Sequence, residues 1–134
     1  MEQEFPHRPP KPVQISHARV VKGRGRGKEI GVPTINVETS AVPTDLPRGI
    51  YACRITMNRK SFPGALHYGP RPAFNDTETM EIHVIDEDVK SVPQTVDLEL
   101  IRYIRPVQDY QNLEDLLNAI KRDIDAARGI LADA

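Results

Sequence analysis

Tryptophan is absent from this 134-residue chain, and Phe and Tyr together supply only seven residues. Hydrophobic residues make up 39% of the total, which is lean, yet too apolar for the disordered class of strongly charged chains. A single cysteine, Cys53, excludes an internal disulfide and any metal site built from several thiolates. No stretch approaches the ~18 consecutive apolar residues of a bilayer-spanning helix. The opening Met1-Glu2-Gln3-Glu4-Phe5-Pro6 lacks the basic start and apolar run of a secretory signal. Together these absences predict a soluble, cytoplasmic chain with no membrane association. Net charge is only −1, so no field of the whole protein attracts nucleic acid or membrane.

What is present is turn chemistry. Twelve Pro and eight Gly favour short strands joined by turns over a helical bundle. Charge is distributed unevenly. Residues 1–31 hold seven Lys/Arg against three acids, and residues 75–100 hold eight acids against one Lys. Such a pair of segments either aids solubility or brings an anionic ligand and its metal to opposite sides of one site.

The length predicts one domain. Residues 1–14, with Pro6, Pro9, Pro10 and Pro12, read as an extended or disordered lead-in to a domain over 15–134. Strands are expected at Ile15–Val21, Ile50–Met57, Ala65–Tyr68, Met80–Asp86 and from Val96 towards Tyr103. Asn112 is placed to cap a terminal helix through Leu131, whose Leu113, Leu116, Leu117, Ile120, Ile124 and Ala127 recur at helical spacing. Five or six strands and one helix predict a mainly β protein, a small antiparallel barrel or sandwich with the helix packed outside.

Three segments carry candidate chemistry. Gly23-Arg24-Gly25-Arg26-Gly27-Lys28, followed by Gly31, brings backbone amides and cations together as an anion site requires. The spacing is not that of a P-loop or a dinucleotide fingerprint. A solvated basic turn, or contact of the Arg-Gly segment with RNA, are the alternatives. In Pro33-Thr34-Ile35-Asn36, the side chains of Thr34 and Asn36 share one side of an extended chain and offer neutral oxygens suited to a hard cation. The alternative is a turn stabilised by the same side chains. Glu81 and His83 share the polar face of their strand, where plain solvation is the alternative; a metal site from His67, His83, Glu81 and Asp86 matches no strong ligand spacing.

The order of these segments resembles the riboflavin kinase family. The matching residues are Gly23 to Asn36, Gly49-Ile50-Tyr51, Met80-Glu81-Ile82-His83, and Ile104-Arg105-Pro106 leading to Leu113, over about residues 15–131. The resemblance implies a six-stranded Greek-key barrel with a carboxy-terminal α-helix. It implies transfer of the γ-phosphate of ATP to the 5′-hydroxyl of riboflavin, giving FMN, with Mg²⁺ as cofactor. By position, Thr34 and Asn36 hold Mg²⁺ and the phosphates, and the loop from Gly23 to Gly31 covers the nucleotide. Glu81 is the base on the ribityl hydroxyl, and Arg105 belongs to a flavin-side loop before the helix. The chain departs from the family pattern at His67, Ala73 and Val107 and lacks the segment usually found after the catalytic strand. An adenylyltransferase unit that makes FAD is not expected. The implied partners are the two small substrates, with no nucleic acid, and the expected state is a monomer. A flavin- or nucleotide-binding barrel that has lost catalysis and a small RNA-binding barrel are the competing functions.

Overall fold

The computed structural model describes residues 12–21, 34–71, 76–86 and 91–132. Alternation along the chain becomes six strands: β1 (Val13–Val21), β2 (Thr34–Val37), β3 (Gly49–Met57), β4 (Lys60–Arg71), β5 (Asp76–Val84) and β6 (Thr95–Arg105). A 3-10 turn (Thr39–Ala41) follows β2, and one helix, α1 (Leu113–Ala132), closes the chain. The strands form a closed barrel in the order β1-β2-β5-β4-β3-β6, and every neighbouring pair is antiparallel. Hairpin-linked β3, β4 and β5, flanked by β6 and β2, give the Greek-key connection that the sequence led us to expect.

The inward residues are those that alternation selects. Met80, Ile82 and Val84 of β5 and Val96, Leu98 and Leu100 of β6 are buried in the barrel core with Ile35, Val37, Tyr51 and Ile55. A second apolar cluster lies outside the barrel, where Ala52, Ala65 and Ile85 meet Ala127 and Leu131 of the helix. Small residues on the outward side of β3 and β4 let the helix approach the sheet closely.

Several boundaries differ from the sequence reading: β2 is not among the expected strands, β3 starts at Gly49, β5 at Asp76 instead of Met80, and β6 at Thr95. β1 begins at Val13, so Val13 and Gln14 belong to the barrel instead of the lead-in. β4 runs the twelve residues Lys60–Arg71 instead of Ala65–Tyr68. Its Pro63 and Pro70 interrupt the local strand signal, yet pairing with β3 carries through Pro63, opposite Arg54. The β3–β4 turn is Asn58-Arg59, both left-handed (φ 51° and 70°), the geometry of a tight hairpin. β5 ends at Val84, before Ile85 and Asp86.

The helix begins as expected: the Asn112 side-chain oxygen accepts the Asp115 N–H at 2.9 Å. Its apolar stripe is shifted, however. Leu113 is 53% exposed, and Leu116 and Leu117 are only half-buried. The buried seam is Ala119, Ile120, Asp123, Ala127 and Leu131. A carboxylate sits in that seam because the barrel supplies a cation to it.

Candidate active site

Strand register assembles the site. Across the outer face one row runs Asn36, Glu81, His67, Ile50 and Arg105, each opposite the next on the neighbouring strand. The adjacent row is Thr34, His83, Ala65 and Ala52. Opposed residues in an antiparallel pair hold their Cβ atoms about 4.5–5.5 Å apart. Because Ile35, Val37, Met80 and Ile82 fill the barrel, Thr34, Asn36, Glu81 and His83 all stand on the outside. The register thus places Asn36 directly beside Glu81, with Thr34 on the diagonal. Turn formation by Thr34 and Asn36 is excluded, since both lie in β2.

The helix converts this open face into a flanked one. Arg105, opposite Ile50, bonds to Asp123; Ala52 clusters with Ala127 and Leu131; the Arg54 Nη2 donates to the Leu131 carbonyl at 3.4 Å. Asp123, Ala127 and Leu131 therefore follow Ile50, Ala52 and Arg54. Four helical residues rise about 6 Å and two strand residues about 6.6 Å, so the two series keep pace along β3. A helix ~10–12 Å wide centred over β3 extends ~5–6 Å to each side, which covers β4, one strand spacing of ~4.8 Å away, and stops short of β5. Burial agrees: His67 on β4 is 9% exposed, whereas Glu81 on β5 is half-buried. Glu81 stands at the foot of the helix flank. His83, at 5% exposure, is buried on the face that alternation marks as polar.

Arg105 is the last residue of β6, which corrects its expected place in a loop. Its Nε and Nη2 donate to the two Asp123 carboxylate oxygens at 2.8 and 2.7 Å, and its Nη1 donates to the Pro106 carbonyl at 2.9 Å. Burial works against the guanidinium charge. The hydrogen bonds and charge of Asp123 outweigh it and hold the Arg105 pKa above its ordinary value.

The Gly49-Ile50-Tyr51 motif has a steric basis. Gly49 has φ 157°, and a Cβ there would lie 2.3 Å from Tyr103 Cε1 and 2.7 Å from the Arg105 carbonyl oxygen. Tyr51 and Tyr103 stack edge to face at 5.3 Å. The Tyr51 hydroxyl donates to the Pro47 carbonyl at 2.6 Å and the Tyr103 hydroxyl to that of Arg48 at 3.2 Å. Two tyrosines thus clamp the Pro47-Arg48-Gly49 turn, and Arg48 pairs with Glu78. Burial pushes the Tyr51 and Tyr103 hydroxyls up in pKa and the Cys53 thiol up to about 12.

Sequence reasoning missed Asp123 and the tyrosine clamp. The only signal for Asp123 was an acid on the apolar side of the helical stripe. Gly23, Arg24, Gly25, Arg26, Gly27, Lys28 and Gly31 of the expected nucleotide loop lie outside the described residues, as does Ala73. Among the described residues, no three His, Cys, Asp or Glu side chains group as a metal cluster.

A family model described as Flavokinase, riboflavin kinase, matches residues 10–131. The chain is 31% identical over 123 residues to riboflavin kinase of Homo sapiens, covering 82% of this chain and 76% of that one. It is 28% identical over 120 residues to a bifunctional riboflavin kinase/FMN adenylyltransferase of Haemophilus influenzae, covering 88% of this chain but only 38% of that relative. The crystal structure of riboflavin kinase from Trypanosoma brucei superposes with a TM-score of 0.59 at 20% identity, over 91% of this chain and 81% of that one. The last likeness shows the shared barrel, and the family match across nearly the whole chain shows that it belongs to the riboflavin kinase family.

Proposed function

We propose that this chain transfers the γ-phosphate of ATP to the 5′-hydroxyl of riboflavin, giving FMN. The observation that carries the reading is the register of β2 against β5, which pairs Asn36 with Glu81 and Thr34 with His83 on one outer face. Phosphoryl transfer depends on positioning and charge neutralisation more than on covalent chemistry. An unactivated primary alcohol also needs a carboxylate within hydrogen-bond reach of its proton. Glu81, half-buried at the helix flank, accepts that proton and orients the hydroxyl towards the γ-phosphate. His83, two residues along the same face and buried, serves to support.

Two neutral oxygens from Thr34 and Asn36 suit Mg²⁺, which commonly takes few protein ligands and completes its shell with water and substrate phosphates. Bound there, Mg²⁺ would neutralise charge on the phosphates. The loop from Gly23 to Gly31 covers the nucleotide in this reading. Arg105 acts on the flavin side by fixing the end of β6 against the helix. The partners are the two small substrates. The chain acts as a cytoplasmic monomer, residues 13–134 forming the catalytic unit.

Incubation with riboflavin, ATP and Mg²⁺, followed by chromatography for FMN, tests the reaction. Glu81→Gln is expected to lower turnover by ~10²–10⁴ while leaving riboflavin and nucleotide binding nearly intact. Binding without FMN in the wild-type protein identifies a barrel without catalysis, and steep salt-dependent RNA binding in place of both identifies the RNA-binding alternative. Near-normal FMN formation by Glu81→Gln, with loss in His83→Ala, reverses the two roles.

A further inference from the structure

We propose that Asp123 is a positioning residue for riboflavin, holding the Arg105 guanidinium and the helix flank in the one arrangement that receives the flavin ring. The inference rests on the kinase reading above and extends it to a residue outside the site's first contacts.

Asp123 is 6% exposed, in a helix seam whose other buried members are Ala119, Ile120, Ala127 and Leu131. An apolar residue would hold such a seam at least as well, because a buried ion pair seldom outperforms well-packed apolar side chains in stability. What the carboxylate adds is geometry. A seam of Ala and Ile tolerates sliding and rotation of the helix, whereas a two-bond fork fixes both. Here the fork is made at 2.8 and 2.7 Å to the terminal residue of β6. This contact sets the helix height and rotation at the end of β6, and the Arg54–Leu131 bond and the two-bond Arg128–Asp86 pair hold its other end. Those two quantities determine where its flank stands relative to Glu81.

The same contact immobilises a planar cation. Of the five N–H groups of Arg105, Asp123 takes two and the Pro106 carbonyl a third. The Tyr110 ring, in the segment leading to the helix, lies 5.9 Å from the guanidinium carbon. A fixed guanidinium with spare N–H groups beside an aromatic ring suits a flat heteroaromatic carrying carbonyl acceptors. Arg105 lies three strands from Glu81 in the same row. At ~4.8 Å per strand that is about 14 Å, and the Ile50 and His67 between them are buried.

Two variants and two readouts separate positioning from mere support. Asp123→Asn keeps the shape and removes the charge. Arg105→Met with Asp123→Leu replaces the pair by apolar side chains of similar size. Riboflavin affinity is read by quenching of flavin fluorescence, and KM values come from FMN formation. Asp123→Asn is expected to raise the KM and Kd for riboflavin at least tenfold while the KM for ATP stays within twofold. The double variant is expected to melt at or above the wild-type temperature and still show the riboflavin defect. A double variant that binds riboflavin like wild type overturns the proposal, as does an equal rise in both KM values for Asp123→Asn. Wild-type protein that binds riboflavin without making FMN refutes the kinase reading alone, and the binding arm still decides on Asp123. Wild-type protein with no affinity for riboflavin overturns both.

Discussion

The same substitution at two glycines should have opposite effects. Gly49→Ala places a methyl group 2.3 Å from Tyr103 Cε1 and 2.7 Å from the Arg105 carbonyl oxygen, at φ 157°. The ring can move, but moving it strains the Tyr103 hydroxyl bond to the Arg48 carbonyl and the edge contact with Tyr51. The Arg105 carbonyl belongs to β6 backbone and yields only if that strand shifts. Overpacking of this kind costs about 1–3 kcal/mol. Loss of one hydrogen bond adds ~1 kcal/mol, and an unfavourable backbone conformation ~1–2 kcal/mol. The total is about 3–6 kcal/mol, a large part of the ~5–15 kcal/mol available to a small domain.

A Cβ on Gly129, by contrast, would meet nothing within 4 Å, on the exposed side of the helix. Gly129→Ala should therefore gain up to ~1 kcal/mol from helix propensity alone. Urea titration followed by circular dichroism measures both. With a slope of ~1–3 kcal/mol per molar, Gly49→Ala should lower the midpoint by roughly 2 M, and Gly129→Ala should raise it by a few tenths. A loss below ~1 kcal/mol at Gly49 would mean that the tyrosine clamp gives way freely, and the steric account of the motif would fail.

Other perturbations report on the nucleotide side, the helix and the core. Thr34→Ala and Asn36→Ala should each raise the KM for Mg²⁺–ATP and leave the melting temperature little changed; wild-type kinetics in both would remove these oxygens from the metal site. Leu117→Ala should cost about 1–2 kcal/mol, less than the ~2–5 kcal/mol of Ile120→Ala, because the buried seam runs through Ile120; equal losses in urea midpoint would contradict that seam. For Cys53, burial raises the pKa from 9.0 to about 12, so above pH 9 the unfolded thiol ionises first and stability falls as pH rises. Its share of the decline approaches ~1.4 kcal/mol per pH unit, and Cys53→Ala should flatten the stability profile between pH 9 and 11.

Alternation was the legible part of this chain. Met80, Ile82 and Val84 against Glu81 and His83 gave both the core face of β5 and the side on which the candidate base stands. Local patterns are silent on what lies across a sheet. The row from Asn36 to Arg105 joins residues up to 69 positions apart, through pairings that only the closed barrel sets. The twelve residues of β4 stayed hidden because Pro63 and Pro70 lower strand propensity wherever the pairing cannot be seen. The helix stripe was displaced for a related reason. Periodicity credits Leu113 and ignores Asp123, while packing depends on where the sheet ends and where Arg105 emerges. An acid on an apolar stripe is the trace that such a partner leaves in sequence.

The buried polar residues explain why the site sits on β5. An unpaired buried polar side chain costs about 1–3 kcal/mol, so a fold tends to keep its polar residues wet. Here His67 and His83, flanking Glu81 in register, are both buried, on a face that could have remained open to solvent. The helix packs over β3 and β4, against Ala52 and Ala65 beside these residues, and Glu81 stays half-buried one strand beyond it. That arrangement gives a carboxylate a wall on one side and solvent on the other. In the proposed reading the wall would exclude water from the reacting hydroxyl, and the open side would admit a nucleotide beside Thr34 and Asn36. A helix displaced by one strand towards β5 would bury Glu81 and shut the nucleotide out. Displaced the other way, it would leave the base fully solvated. The Arg105–Asp123 fork is one of the contacts that hold the helix in place, and in the proposed reading it ties the end of β6 to the base three strands away.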